Sequence, residues 1–511
     1  MPKPKPKKGH ADLPSYMHII ANDNSAIAIN WNDENISYGE LQQRVENYRR
    51  ALPDSQGQII ALCLNNSPDF IALYLACWCN KLIPMPVNPD LRCHEIVELL
   101  KQADSQVLVL EENHWSSFGD RLCEAPRLAV ISSLRNRQIR QVYSTKGLSE
   151  PELPGEDVAL ILHTSGTSAL PKAVMISGQA LQHIIEGRIR TANIGSDSKA
   201  VIASSLYHSV GLYQCLAYLK QGAQFALLEG YDVAKMTAKV NEILPTHLIM
   251  VVEAFERLLG HPDINSNSFA NIRFACIGAD KVTESVQKAF FKVTQRFLST
   301  SYGMTELSWI MVNRNPADSD CLALGSPTEG VDVKLIDSAG KEVARGEVGE
   351  IIASSPKMMT GYWRSWGEDD LPFIDNKWIK TGDLACRDSN GLFWFMGRRK
   401  DIIVLPGGDN ISPLEIESHI LRIPGVKSCI VAAIPAGDDL YAELAPEEPH
   451  AFIVSDIDYS QQQILERLRP LLSNYKLPRK VHFVAEIPRG SSRKISRRLL
   501  LDWLVEQEQA G

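Results

Sequence analysis

The chain has 511 residues, more than one hydrophobic core usually supports, so at least two domains are expected. Its 44% apolar and 22% charged residues suit a globular protein, and a net charge of −8 offers no general attraction to nucleic acid or an anionic membrane. No apolar run of about 18 residues occurs, which argues against a membrane-spanning helix. The 10 cysteines are scattered without a C-x-x-C pair, a pattern that points to reduced thiols in the cytoplasm.

Residues 1–11 begin Met1-Pro2-Lys3-Pro4-Lys5 and read as a disordered basic tail. Tyr38 to Leu52 carries a helical stripe of Leu41, Val45 and Tyr48, and strands are expected at 59–64 and 107–110. The helix–strand alternation continues to about residue 325, through 201–203, 225–228 and 274–277, and argues for α/β layers. Between Val331 and Ser354 short strands alternate with the turns Ser338-Ala339-Gly340 and Gly346-Glu347-Val348-Gly349. The last hundred or so residues read as a compact α+β unit with a strand at 428–434, a helix at 460–473 and a strand at 480–487. The expected organisation is a large α/β domain over 12–397 with layered sheets and a β-barrel-like part. A hinge follows at 398–402, and then a small mobile α+β domain over 403–511.

The apolar run Val158–Leu162 empties into His163-Thr164-Ser165-Gly166-Thr167-Ser168-Ala169-Leu170-Pro171-Lys172. Hydroxyls, backbone N–H groups around a glycine and one ammonium are what a polyphosphate needs. The loop is not the common G-x-x-x-x-G-K-[ST] form, because no second glycine precedes Lys172 at that spacing. Five further segments follow in order. They are Tyr302-Gly303-Met304-Thr305-Glu306, Gly346-Glu347-Val348-Gly349-Glu350, Thr381-Gly382-Asp383-Leu384, Gly397-Arg398-Arg399-Lys400-Asp401 and Pro488-Arg489-Gly490-Ser491-Ser492-Arg493-Lys494-Ile495.

In this order the six segments resemble the adenylate-forming superfamily of acyl- and aryl-CoA ligases, adenylation domains and luciferases, over residues 20 to 500. The resemblance implies that a carboxylic acid attacks the α-phosphate of ATP, that pyrophosphate leaves, and that a thiol then displaces AMP. That thiol belongs to CoA or to the phosphopantetheine of a carrier protein acting in trans. Thr164, Ser165, Gly166, Thr167, Ser168 and Lys172 match the phosphate loop, Thr305 a residue that hydrogen-bonds the α-phosphate, and Glu306 the Mg2+ ligand. Asp383 and Arg398 match groups on the ribose, and Gly278, Ala279, Asp280 and Tyr302 match the walls of the adenine slot. Lys494 matches the catalytic lysine and Lys400 the hinge. The extra glycine of the pair Gly407 and Gly408 falls where relatives line the thiol tunnel.

His208, in the pair Tyr207-His208, stands where amino-acid-activating relatives carry an aspartate, so a fatty, short-chain or aryl acid is favoured over an amino acid. Val252, Ile277, Met304 and Leu307 are candidates for the acyl pocket. Ala169 and Ala173 replace glycines usual in the family, Arg493 replaces another before the lysine, and Ile379 replaces an aromatic. These departures leave a catalytically weak nucleotide- or partner-binding homologue as one alternative, and an adenylation enzyme for an amino acid is the other.

Overall fold

The computed structural model describes residues 24–53, 56–111, 129–132, 140–141, 154–155, 157–164, 171–364, 372–375, 377–404, 410–435, 447–488, 500 and 503–504. Two compact units are formed, Met1–Asp332 with Ala353–Trp378 and Val333–Ile352 with Ile379–Gly511.

The first unit is built on a nine-stranded sheet. Its strands Ile27–Trp31, Gln224–Leu227, Lys199–Ile202, His247–Val251, Phe274–Gly278 and Ser299–Met304 are neighbours and parallel. Central strands covered on both faces are apolar almost throughout, so His247–Val251 and Phe274–Gly278 read as nearly unbroken runs in the sequence, whereas Ser299–Met304 is polar and only partly buried. On one face the helices Val252–Leu259 and Glu284–Thr294 bury Val252, Phe255, Leu258 and Phe290 against Val201, Leu248, Met250 and Ile277. Side chains alternate along a strand, so Phe225 and His247 point the other way and meet Tyr218 of the helix Ser209–Lys220. Strand Ser308–Asn313 runs antiparallel to Ser299–Met304.

A five-stranded sheet lies earlier in the chain, in the order Ile83–Pro86, Ile59–Cys63, Val107–Leu110, Ala129–Ser132, Arg140–Gln141. A three-stranded sheet joins Gly361–Tyr362, Ala173–Ser177 and Val158–His163. The first helix, Tyr38–Ala51, starts where the sequence pattern predicts. Ser37 accepts from the backbone N–H of Glu40, and the Glu40 carboxylate accepts in return from the Ser37 N–H.

Centred on the second unit, the turn-rich stretch forms strands Asp332–Ile336 and Val348–Ser354, which share a sheet with the hairpin of Trp378–Arg387 and Phe393–Arg398. The sheet Val426–Pro435, Glu447–Ser455, Lys480–Phe483 follows, with the helices Pro413–Ile420 and Gln461–Leu468 packed through Ile416, Ile420, Ile464 and Leu468. The helix predicted to reach residue 473 ends at Leu468, because Pro470 has no N–H to continue the ladder.

One pair in this sheet sets an acid limit. His482 Nε2 lies 3.2 Å from His450 Nδ1, and the His482 ring stacks on Phe452. Burial, with His482 and Lys480 nearby, pushes the His450 imidazole down to about 4, and burial and Lys480 also lower His482. The folded rings stay neutral where the unfolded chain takes up protons. Stability is therefore complete above the ordinary histidine pKa and is lost as the pH falls from there towards 4. Thermal melts should lose several degrees across this window, and His450→Gln should flatten the slope between pH 6.5 and 4.

Candidate active site

The strands Val158–His163 and Ala173–Ser177 form a hairpin whose connecting loop is the phosphate-loop sequence, closed by a 3.0 Å bond from the Thr164 N–H to the Lys172 carbonyl. Ser165, Gly166, Thr167, Ser168 and Ala169 lie outside the described residues. Ala173 opens its strand in extended pairing opposite His163, buried in the core, and takes a hydrogen bond from Trp363 N–H. A Cβ is at home there, so this replacement of glycine strains nothing in the fold.

The third strand of the same sheet places Tyr362 beside Val174. Its ring carries Lys172 Nζ 4.9 Å from the centroid, and its hydroxyl donates to Glu306 Oε1 at 2.9 Å. Lys172 and Glu306 are thus linked through one tyrosine that the sequence reading did not single out. The available signal was Thr360-Gly361-Tyr362, whose glycine has φ +149°. Glu306 is buried at 6% exposure, and its carbonyl accepts from Met359 N–H at 2.8 Å.

Glu306 and Thr305 follow the strand that bears Tyr302 and Met304. Gly303 is packed so closely against Ser308 that a Cβ would collide with its carbonyl. Next to this strand, Gly278 ends Phe274–Gly278 against Ser301, where a Cβ would meet both Oγ and O. Ala279 then turns with φ +66°, a left-handed conformation that costs about 1–2 kcal/mol for a residue with a side chain. Asp280 accepts from Lys281 N–H at 2.7 Å. Strained and glycine-tight backbone at two adjacent strand ends marks a place built for close approach. Of the pocket candidates, Val252 and Ile277 belong to the apolar cluster beneath the sheet, Leu307 is fully buried and Met304 half-buried.

His208 occupies the N-cap position of helix Ser209–Lys220 without capping it through its side chain, and its ring tilts against Tyr207 at 4.6 Å. The chain reaches it through a loop fixed by Asn66. That buried amide donates to the carbonyls of Ser204 and Leu228, each at 3.0 Å, and accepts from Leu206 N–H at 2.7 Å. Tyr74 adds a bond to the Leu206 carbonyl. Nothing in the sequence pattern marks Asn66, because its partners lie more than a hundred residues away.

In the second unit Asp383 and Arg398 face each other across the hairpin, with Arg398 Nε 3.4 Å from Asp383 Oδ1. Gly382, at φ +73°, lets the strand bend while Thr381 Oγ1 takes the Asp383 N–H and donates to the Ile351 carbonyl. Arg399 pairs with the buried Glu350 at 3.0 Å. Lys400 is exposed in the helical turn Arg399–Asp401. Lys494, Arg493, Gly407 and Gly408 lie outside the described residues.

Among the described residues no cluster of three or more His, Cys, Asp or Glu side chains could hold a metal by itself. A single buried carboxylate, Glu306, suits Mg2+ that brings its remaining ligands as phosphate oxygens and water. No helix among the described residues is long and apolar enough to cross a membrane.

Comparison with known proteins identifies the family. Residues 18–363 match the AMP-binding enzyme family and residues 415–494 match the AMP-binding enzyme C-terminal domain. A feruloyl-CoA synthase from Amycolatopsis is 27% identical over 92% of this chain and 94% of its own. The fatty acid–[acyl-carrier-protein] ligase ScoC of Streptomyces coeruleorubidus is 26% identical over 91% of each. The crystal structure of ATP-bound MatB from Rhodopseudomonas palustris superimposes with a TM-score of 0.84 at 25% identity, covering 94% of this chain and 96% of that one. The chain belongs to the AMP-binding enzyme family and is an AMP-forming acid–thiol ligase that uses ATP and Mg2+.

Proposed function

We propose that this ligase activates a fatty, short-chain or aryl acid and hands the acyl group to CoA or to a carrier protein's phosphopantetheine, in the cytoplasm. The observation that carries the reading is the Lys172–Tyr362–Glu306 chain, which links a cation of the phosphate loop to a buried carboxylate. The carboxylate oxygen of the acid bonds to the α-phosphorus and pyrophosphate leaves. The thiolate then bonds to the acyl carbon and AMP leaves.

Two anions must meet in the first step, so fixed donors and cations have to offset their repulsion. Residues 164–168 and Lys172 hold the β- and γ-phosphates, and Thr305 donates to the α-phosphate. Glu306 holds Mg2+, which neutralises phosphate charge when bound, and Tyr362 fixes the carboxylate's orientation. Tyr302 and the turn Gly278-Ala279-Asp280 form the adenine slot. Asp383 accepts from the ribose hydroxyls and Arg398 orients it. Lys494 bridges acid and α-phosphate. The C-terminal domain pivots at Lys400 between the two steps, and Gly407 and Gly408 line the path of the thiol. His208 borders the acyl pocket.

Pyrophosphate exchange into ATP across a panel of fatty, short-chain, aryl and amino acids tests this. Exchange is expected with one carboxylic class and not with amino acids. Exchange with none would overturn it.

A further inference from the structure

In the nine-stranded sheet the chain runs from Lys199–Ile202 to Gln224–Leu227 on one side, then crosses to His247–Val251 on the other. Connections that leave two parallel neighbours in opposite directions open a crevice at their carboxyl ends, where ligands bind. Here the strands also part. Lys199–Ile202 pairs with Gln224–Leu227 along its whole length, but with His247–Val251 through Ala200 and His247 alone among the described residues. Further along, the Ile249 carbonyl accepts from the buried side chain of Gln214, at 3.2 Å. Segment 203–208 continues from the first strand end to His208, and Val252 continues from the second.

Segment 203–208 is held by side chains from an earlier part of the chain. Asn66, 3% exposed, precedes the helix Pro68–Cys79, and Tyr74 lies on it. Asn66 accepts from the Leu206 N–H and Tyr74 donates to the Leu206 carbonyl, so both backbone groups of Leu206 are fixed. The Asn66 amide also donates to the carbonyls of Ser204 and Leu228, which follow the two adjacent strand ends. Two donors and an acceptor on one short side chain are what an amide offers; an aspartate would keep only the acceptor. The segment has no slack on its other side, because a Cβ at Gly211 would collide with the Ser204 and Ser205 carbonyls. His208 follows directly, its N–H bonded to the Ser205 carbonyl at 3.1 Å.

We propose that Asn66 is a positioning residue for acid selection. It fixes segment 204–208, and with it His208, at the crevice without touching the acid. This rests on the ligase reading, which puts His208 at the acyl pocket. The partners of Asn66 belong neither to the phosphate loop nor to the adenine slot, so ATP handling is expected to stay as it is.

Pyrophosphate exchange by the full chain is measured with butyrate, octanoate, benzoate and cinnamate, varying acid and ATP separately. For the acid the wild type prefers, Asn66→Ala and Asn66→Asp should raise the KM on the order of 10- to 100-fold, with KM for ATP unchanged within about twofold. The preference in kcat/KM for that acid over the next should shrink in parallel. Tyr74→Phe loses the bond to the Leu206 carbonyl and should show the same split more weakly; it decides where an Asn66 variant does not fold. An unchanged acid KM in these variants, or acid and ATP KM values that rise together, would overturn the proposal alone. Exchange by the wild-type chain with none of these acids would overturn the ligase reading, and the role of Asn66 with it.

Discussion

Lys494→Ala should lower acid-dependent pyrophosphate exchange by about a hundred- to a thousandfold, while thioester formation from a supplied acyl-adenylate continues. The asymmetry follows from charge. In the first step a carboxylate approaches a phosphate anion, and two unit charges about 4 Å apart repel by about 4 kcal/mol at the effective dielectric of a protein surface. A lysine touching both removes that barrier. In the second step the thiol attacks an acyl carbon whose partner phosphate is already esterified, so the same cation has less to offset. Arg498→Ala, which removes a positive charge four residues further along the sequence, should change exchange little. Equal loss of both steps in Lys494→Ala would assign the lysine to folding or docking rather than to adenylation.

Glu306→Gln should cost about a hundredfold in exchange and raise the Mg2+ concentration needed for half-maximal rate. Glutamine keeps an oxygen to accept the Tyr362 hydroxyl, so packing is held and only the charge is lost. Tyr362→Phe makes the opposite change. It keeps the carboxylate, removes a donor, and leaves a buried charge less satisfied, a cost of about 1–3 kcal/mol. Its effect should fall mainly on KM for ATP. Wild-type Mg2+ dependence in Glu306→Gln would move the metal elsewhere.

The parts of the fold legible in the sequence are those that depend on near neighbours. Buried parallel strands such as Phe274–Gly278 and the Ser37–Glu40 cap are written in a few consecutive residues. The candidate site was legible where a motif is contiguous, as in Tyr302 to Glu306. Tyr362 was not, because it reaches Glu306 only through a strand pairing made 56 residues later. Asn66 joins segments far apart in the chain and reads locally as an ordinary polar residue. The burial of Arg188, on the helix Gly178–Ala192, is hidden for another reason. An arginine on an amphipathic helix is ordinarily taken for the solvent side, and only the packed helix shows it turned inward between Tyr213 and Trp309.

The left-handed turn at Ala279 has a bearing on how this enzyme would respond to directed evolution. A screen for heat resistance would find Ala279→Gly attractive, since glycine releases the strain at once. The same change gives the strand end more freedom beside the proposed adenine slot. Durability and nucleotide affinity would then trade against each other at a single methyl group.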